Sequence, residues 1–281
     1  MKILIYGDES GLSKSKKCQL LLVNRGDFYR SSESTRLKRE SSDALLLKKI
    51  EDVILEMPFY GYRRVSKAIN VNHKKVLRIM KSNNLLCKRK KRFARTTFSD
   101  HDEKVYTNLT ENLYLTGINQ LWVSDITYIH LPRGFVYLSA ILDAYSRKCI
   151  GWSLDKTLES KLAINALEQA LSKRNIKKGL IHHSDQGVQY ASKAYTEILR
   201  GNEIKISMSR KGNPYDNAKA ESFFKTLKCE EVYLFDYQNM SEAKSSIEEF
   251  IENVYNKKRL HSSIGYVSPE KFEKDLTGLK I

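Results

Sequence analysis

Cysteine is scarce in this chain, with four in 281 residues. Cys18, Cys87, Cys149 and Cys229 lie far apart and make no C-x-x-C pair. That spacing argues against a zinc knuckle or a disulfide framework and for reduced intracellular thiols. Long apolar runs are missing too. The N-terminal MKILIYGDES has too short an apolar run for a secretory signal, whose core needs about 7–15 residues. No stretch approaches the roughly 18 apolar residues of a membrane span. Internal repeats, low-complexity tracts, a long heptad pattern and a Walker A loop are absent as well. The expectation is a soluble, cytoplasmic protein with no nucleotide cofactor, long enough for roughly two domains.

Acidic residues are nearly missing from one stretch. Residues 61–100 hold 13 Lys/Arg against the single Asp100, whereas residues 101–281 hold 25 Lys/Arg against 23 Asp/Glu. The net charge of +16 is therefore concentrated in the front of the chain. That is the distribution expected if the front grips the phosphates of a polyanion and the back does chemistry.

Residues 1–40 read as a basic, partly ordered leader. A helix is expected to start at Ser41, Ser42 or Asp43 as N-cap, to bury Leu46, Ile50, Val53, Ile54 and Met57, and to stop at Pro58. Val65, Ala68 and Ile69 can face inward on a second helix, and Val76, Ile79 and Met80 on a third, with Asn70-Val71-Asn72 between them. The third helix would show His73, Lys74, Lys75, Arg78 and Lys81 outward. Residues 41–95 thus read as a small helical module of helix-turn-helix type, its basic helix suited to a major groove. A solvated basic helix gives the same pattern. The run Lys88, Arg89, Lys90, Lys91, Arg92 reads as a phosphate-tracking arm in preference to a solvated linker. Residues 96–116 read as a linker.

From residue 117 the pattern turns to strands. NQLWVSDITYIHL, GFVYLSAILDAYSR and KCIGWSLD suggest an antiparallel meander, with turns at Arg133-Gly134 and Arg147-Lys148. Helices and strands then alternate through SKLAINALEQALSKR, GLIHHSD, SKAYTEILRGNE, IKISMSR and PYDNAKAESFFKTLKCEEVY. The reading is an α/β fold over 117–235, a mixed five-stranded sheet with helices on both faces. A C-terminal helix and a short tail follow over 236–281.

Three carboxylates stand out in that core. Asp125 interrupts an apolar strand, on the face opposite Trp122, Ile126 and Tyr128. Burying an ionised Asp there is costly unless it is paired or holds a metal. Asp185 ends a strand, where an Asp is often only a turn former. Glu221 shares one sector of its helix with Asn217, Lys225 and Lys228, beside an apolar sector of Ala220, Phe223, Phe224 and Leu227. Each residue alone has an ordinary reading as a surface, turn or solvated group. Together, in a basic protein, they suit hard divalent ions such as Mg²⁺, which take oxygen ligands and leave room for phosphate oxygens. Two such ions about 3.5–4 Å apart would serve the attacking and leaving oxygens of a phosphodiester exchange. Lys228 would point at DNA from the rim of that site. His183 shares the face of Asp185, Asp143 and Asp155 are nearby alternatives, and Trp122 and Trp152 read as core. Tyr255, Asn256, Arg259 and His261 suit either DNA contact or packing.

The blocks WVSDITYI, HHSDQGVQY and GNPYDNAKAESFFKTLK resemble the catalytic blocks of insertion-sequence transposases of the insertion-sequence-three branch, whose core is similar to that of retroviral integrases. Between Asp185 and Glu221 lie 35 residues, the spacing of that D,D,E group, and Lys228 falls where the group carries a basic residue. YNKKRLHSSIGYVSPEKF resembles its closing block, and YGYRRV with VNHKKVLRIMK its front helix-turn-helix, although the connection between those two is shorter here. The resemblance implies a ribonuclease-H-like fold and a transposase in which Asp125, Asp185 and Glu221 are catalytic metal ligands. It further implies two Mg²⁺ ions, replaceable by Mn²⁺, acting on terminal inverted repeats and target DNA. Lys225, Lys228 and Asn217 would meet that DNA, as would Lys74, Lys75, Arg78 and the basic run. The implied partners are a second copy of the chain on DNA and an upstream-frame product, and the implied location is bacterial cytoplasm, on the nucleoid when bound. A catalytically inactive DNA-binding regulator of the element and a structure-selective nuclease of the same fold are the competing readings.

Overall fold

The computed structural model describes residues 11–22, 24, 26, 33–87, 105–210, 213 and 216–278. They belong to two units, Met1–Cys87 and Lys88–Ile281. In the first, α1 (Lys14–Leu20), α2 (Glu33–Glu56), α3 (Tyr62–Ala68) and α4 (His73–Ser82) follow one another. Leu46, Ile50 and Met57 of α2 and its end are buried, as are Val65 of α3 and Val76, Ile79 and Met80 of α4. Asn72 caps α4 by accepting from the Lys74 amide, and Asn70 turns the chain with φ of 52°.

Two local expectations are corrected. Helix α2 runs straight through Ser41, Ser42 and Asp43, so none of them is its N-cap. Asp43 is instead occupied by α4, with Arg78 Nη2 at 2.7 Å and Lys75 Nζ at 3.5 Å. Ala68 points outward, and Ser66 is buried in its stead. A serine is tolerated there because its hydroxyl donates to Val71 O at 2.6 Å.

The second unit is built on a sheet of order β3-β2-β1-β4-β5. Its strands are β1 (Leu121–Leu131), β2 (Gly134–Asp143), β3 (Cys149–Asp155), β4 (Ile181–Ser184) and β5 (Lys205–Met208). The first three form the antiparallel meander; β4 and β5 add in parallel. Strand alternation sorts the core into two layers. Trp122, Ile141 and Ile150 meet α5 (Ser160–Lys173), α6 (Val188–Ala191) and α7 (Lys193–Gly201) through Leu167, Tyr190 and Tyr195. Val123, Leu138, Ala140 and Ile181 meet α8 (Ala218–Leu227) and α9 (Met240–Glu249) through Phe223, Phe224, Leu227 and Ile247. Each such buried side chain contributes roughly 1.5–3 kcal/mol.

The stretch around residues 106–109 reaches the β5 side of this unit. There the Leu109 amide donates to Ser207 Oγ at 2.8 Å and Arg200 donates to the Tyr106 hydroxyl at 2.5 Å. After α8 the chain makes a π-helical turn, Lys228–Val232, and α9 runs into another, Phe250–Tyr255. The tail is more than a tail. It ends in α10 (Pro269–Leu276), capped by Ser268 with Pro at its start, a signal visible in SPEKF. Among the described residues, no helix is long and apolar enough to cross a membrane.

Candidate active site

Strand register builds the centre of the site. β1 pairs with β4 in parallel as Leu121↔Ile181, Trp122↔His182 and Val123↔His183. Two residues further along both chains stand Asp125 and Asp185, close enough that the Asp185 carboxylate repels that of Asp125. Because Val123 faces the α8 layer, Asp125 faces it as well, whereas Asp185 lies past the end of β4 and borders a cleft with Val188 and Tyr190 of α6. β4 ends at Ser184, which releases Asp185 at the carboxyl end of a parallel strand, where ligand sites of such sheets form. Asp185 Oδ1 accepts from the Gly187 amide at 3.0 Å, and Asp125 Oδ1 from the Ile126 amide at 2.9 Å.

Helix α8 brings the third carboxylate. Ala220, Phe223, Phe224 and Leu227 are its buried residues, leaving Glu221 exposed in the first turn. Its head is tied to β1 by Asn217, whose Nδ2 donates to Ser124 O at 2.9 Å, next to Asp125. Asn217 is 6% exposed, so it is a buried brace in this structure, and its Oδ1 has no hydrogen-bond partner among the described residues.

Electrostatics join the three. The Asp125 carboxyl keeps part of its surface open, yet it is pushed up to about 8 from an ordinary 3.8. Burial is the largest cause, followed by repulsion from Asp185 and, more weakly, from Glu221; the Ile126 amide and Lys228 oppose it. Crowded carboxylates of this kind are what a cation relieves. Hard oxygen donors and the orphaned Asn217 carbonyl fit a divalent ion in chemistry. Among the described residues, however, no three His, Cys, Asp or Glu side chains converge on one point.

Lys228 stands beyond Glu221 at the start of the first π-helical turn, a kind of helix irregularity frequent at functional sites. Its Nζ lies 4.7 Å from the centroid of the Tyr128 ring, a cation–π distance. Burial lowers its pKa while Asp125 raises it. Lys225 is exposed on the last turn of α8. Glu230, in the same π-helical turn, receives Arg259 at 2.6 and 2.7 Å.

The remaining candidates fall elsewhere. His183 has both ring nitrogens engaged, by Ser207 Oγ at 2.8 Å and Ser209 Oγ at 3.0 Å. It secures β5 against β4, and burial pushes it down to about 4. Asp143 accepts from the amides of Asn119, Tyr145 and Ser146 and so closes a turn, and Asp155 does likewise for Thr157. Trp122 and Trp152 are buried. Tyr255, Asn256, Arg259 and His261 are all buried, which settles them as packing groups; Asn256, for example, brackets the backbone of Cys149 at 2.9 Å on both sides. In the first unit Lys74 is exposed, whereas Lys75 and Arg78 reach Asp43. Lys88, Arg89, Lys90, Lys91 and Arg92 lie outside the described residues. Sequence reasoning missed the close fit of Gly187 beneath Asp185 and the Lys228–Tyr128 stack. The first had a signal in the Asp-Gln-Gly turn, the second none.

An integrase core domain model matches residues 116–214, a second integrase core domain model matches 202–269, and an HTH-like domain model matches 40–93. The chain is 37% identical over 262 residues to a 31 kDa protein of insertion element IS600 from Shigella sonnei, covering 91% of this chain and 96% of that one. It is 37% identical over 258 residues to the transposase of insertion sequence element IS904 from Lactococcus lactis, covering 88% and 99%. To transposase InsF of insertion sequence IS3A from Escherichia coli it is 32% identical over 283 residues, covering 96% and 97%. Among solved structures, it is similar to the catalytic core domain of BIV integrase at 19% identity and a TM-score of 0.43, over 58% of this chain and 99% of that one.

Proposed function

Because the chain belongs to the insertion-sequence transposases with an integrase core, and is therefore a DNA transposase of ribonuclease-H-like fold, we propose that Asp125, Asp185 and Glu221 form its active centre. The observation that carries this reading is the Asp125 carboxyl, held on a central strand and repelled by both other carboxylates. We take these three groups to hold Mg²⁺, two ions with Mn²⁺ able to replace them. Such ions supply a polarised, more acidic attacking oxygen and screen the charge on the phosphate.

The chain's own side chains do the rest of the positioning. Asp125 is held on a central strand, bonded on both edges, and Asp185 is held by the Gly187 amide. Asn217 ties the head of the Glu221 helix to the Asp125 strand. Lys228, half-buried and therefore poorly hydrated, gains most by meeting a phosphate at the rim. One centre of this kind suits both halves of transposition. Water takes the place of a 3′ oxygen at the cut strand, and the freed 3′ hydroxyl then takes the place of another in the target. Both exchange one phosphorus–oxygen bond for another and need no nucleotide.

The front module is supported as the DNA grip by its HTH-like match and its excess of 13 Lys/Arg over one acid in residues 61–100. The substrates we propose are the element's terminal inverted repeats and a target duplex, handled by more than one copy of the chain, with an upstream-frame product as a further partner. The test is metal-dependent strand cleavage and joining with the parent chain, Asp125→Asn and Glu221→Gln. Each variant is expected to lose about 10²–10³-fold in rate, the scale for removing one electrostatic group from an active site. Variants that join ends as fast as the parent would overturn the assignment.

A further inference from the structure

A cleft of about 520 Å³ opens beside Asp185. Its walls are largely aromatic and aliphatic, among them Tyr128, Phe135, Tyr137, Leu158 and Val188. Three of these are exposed to a degree unusual for their type, Phe135 at 49%, Leu158 at 43% and Val188 at 43%. They come from three separate segments, the start of β2, the loop before α5 and the start of α6, and converge on one hollow. Phe135 stands edge-on to Tyr128 at 5.4 Å between ring centroids. The far wall is fixed, because Gln189 Nε2 donates to Leu158 O at 2.9 Å. An apolar hollow left open at the edge of a charged site marks a surface that binds something.

We infer that this cleft receives one unpaired nucleobase of the DNA strand being cut. The inference rests on the reading of Asp125, Asp185 and Glu221 as the active centre and specifies part of its substrate. Three observations select a base over other apolar occupants. The cleft shares Asp185 with the proposed site of phosphodiester exchange, so it opens directly beside the strand being cut. Lys228 stands over the ring of Tyr128, itself a wall of the cleft, and so brings a cation within one ring of it for the phosphate beside such a base. The volume is that of a small-molecule pocket, enough for a nucleotide and far too small for a double helix. Aromatic walls stack on any base regardless of sequence. A base that leaves the duplex therefore recovers much of its unstacking cost here.

The test is a cycle between the protein and the DNA. Strand cleavage is timed for the parent, Phe135→Ala and Val188→Trp on a fully paired end duplex and on a set of duplexes with one abasic nucleotide moved stepwise along the cut strand. On paired DNA, Phe135→Ala, which thins a wall, and Val188→Trp, which fills the space, are each expected to be about ten-fold slower. At one abasic position, and only there, both deficits should shrink to within two-fold, because the group that the cleft holds is already missing. A deficit that persists at every abasic position, or parental rates on paired DNA, overturns the inference. Loss of a dimer by Val188→Trp in sedimentation, with the persistent deficit, would assign the cleft to a second copy of the chain. Asp125→Asn run alongside keeps the two readings apart: its inactivity upholds the catalytic assignment whatever Phe135→Ala does, and its activity removes that assignment and with it the inference.

Discussion

Gly187→Ala separates the geometry of the site from the stability of the fold. A Cβ on Gly187 would meet Asp185 Oδ1 at 2.9 Å and Gln189 Oε1 at 3.2 Å, where ordinary contact begins near 3.4 Å. The Asp185 carboxyl must therefore retreat by about 0.5 Å. Gly187 has φ of −63° and ψ of 140°, a conformation alanine adopts without strain. Replacing glycine at such a position stabilises by about 0.4–1 kcal/mol through the unfolded chain. Loss of a favoured N-cap residue costs a similar amount at the start of α6. Stability is thus expected to change by less than about 1 kcal/mol. Catalysis is not so tolerant. A misplacement of about 1 Å in an active site costs roughly 10²-fold, so half of that should slow strand cleavage about ten-fold. The measurements are single-turnover cleavage rates and urea midpoints on the same preparation. A rate within two-fold of the parent, at an unchanged midpoint, would show that the position of the Asp185 carboxyl does not govern the reaction.

Gly151→Ala should act in the opposite way, on the fold. A Cβ there would lie 2.1 Å from Ala166 O and 2.9 Å from Ala170 Cβ, so α5 must move off β3, at about 1–3 kcal/mol or more; an unchanged urea midpoint would contradict this packing. Glu230→Gln leaves Arg259, 3% exposed, without its carboxylate, and should destabilise by about 3–5 kcal/mol. Adding Arg259→Met should recover part of that loss, and a double variant weaker than the single would refute the pairing. His182 donates to or accepts from the Tyr195 hydroxyl at 2.9 Å, and burial pushes it down to about 3 from 6.5. The unfolded chain takes up a proton at this histidine below pH 6.5 and the folded one does not. Stability from this group is therefore whole above that pH and is lost as pH falls toward 3, by at most about 1.4 kcal/mol per pH unit. Urea midpoints at pH 7, 6 and 5 should fall less steeply in His182→Phe than in the parent.

Much of the site was legible without coordinates because it is written in local periodicity. The two-residue alternation of LWVSDITYI separates Asp125 from Trp122, and the helical repeat of AKAESFFKTL separates Glu221 from Phe223 and Phe224. The structure keeps both divisions. These depend only on which side of a strand or helix a residue occupies, and neighbouring residues fix that. The Pro269 helix carries a signal of the same local kind in SPEKF.

What local pattern cannot hold is the partner of each group across the chain. The nearness of Asp125 to Asp185 follows from the pairing of strands 60 residues apart, and no periodicity within either strand sets that register. Asn217 is a surface residue by its place beside Glu221 and Lys225, yet the carbonyl of Ser124, 93 residues away, draws it inside. Asp43 has the composition of a helix cap and sits in mid-helix because Arg78 arrives from another helix. His183 shares a face with Asp185, and only the approach of β5 gives both its nitrogens to serines. In each case a polar group must be satisfied once buried, and its donors and acceptors are known only when distant segments meet. The sequence by itself determined the faces, the charge and the three acidic groups; the tertiary structure decided which of them stand together.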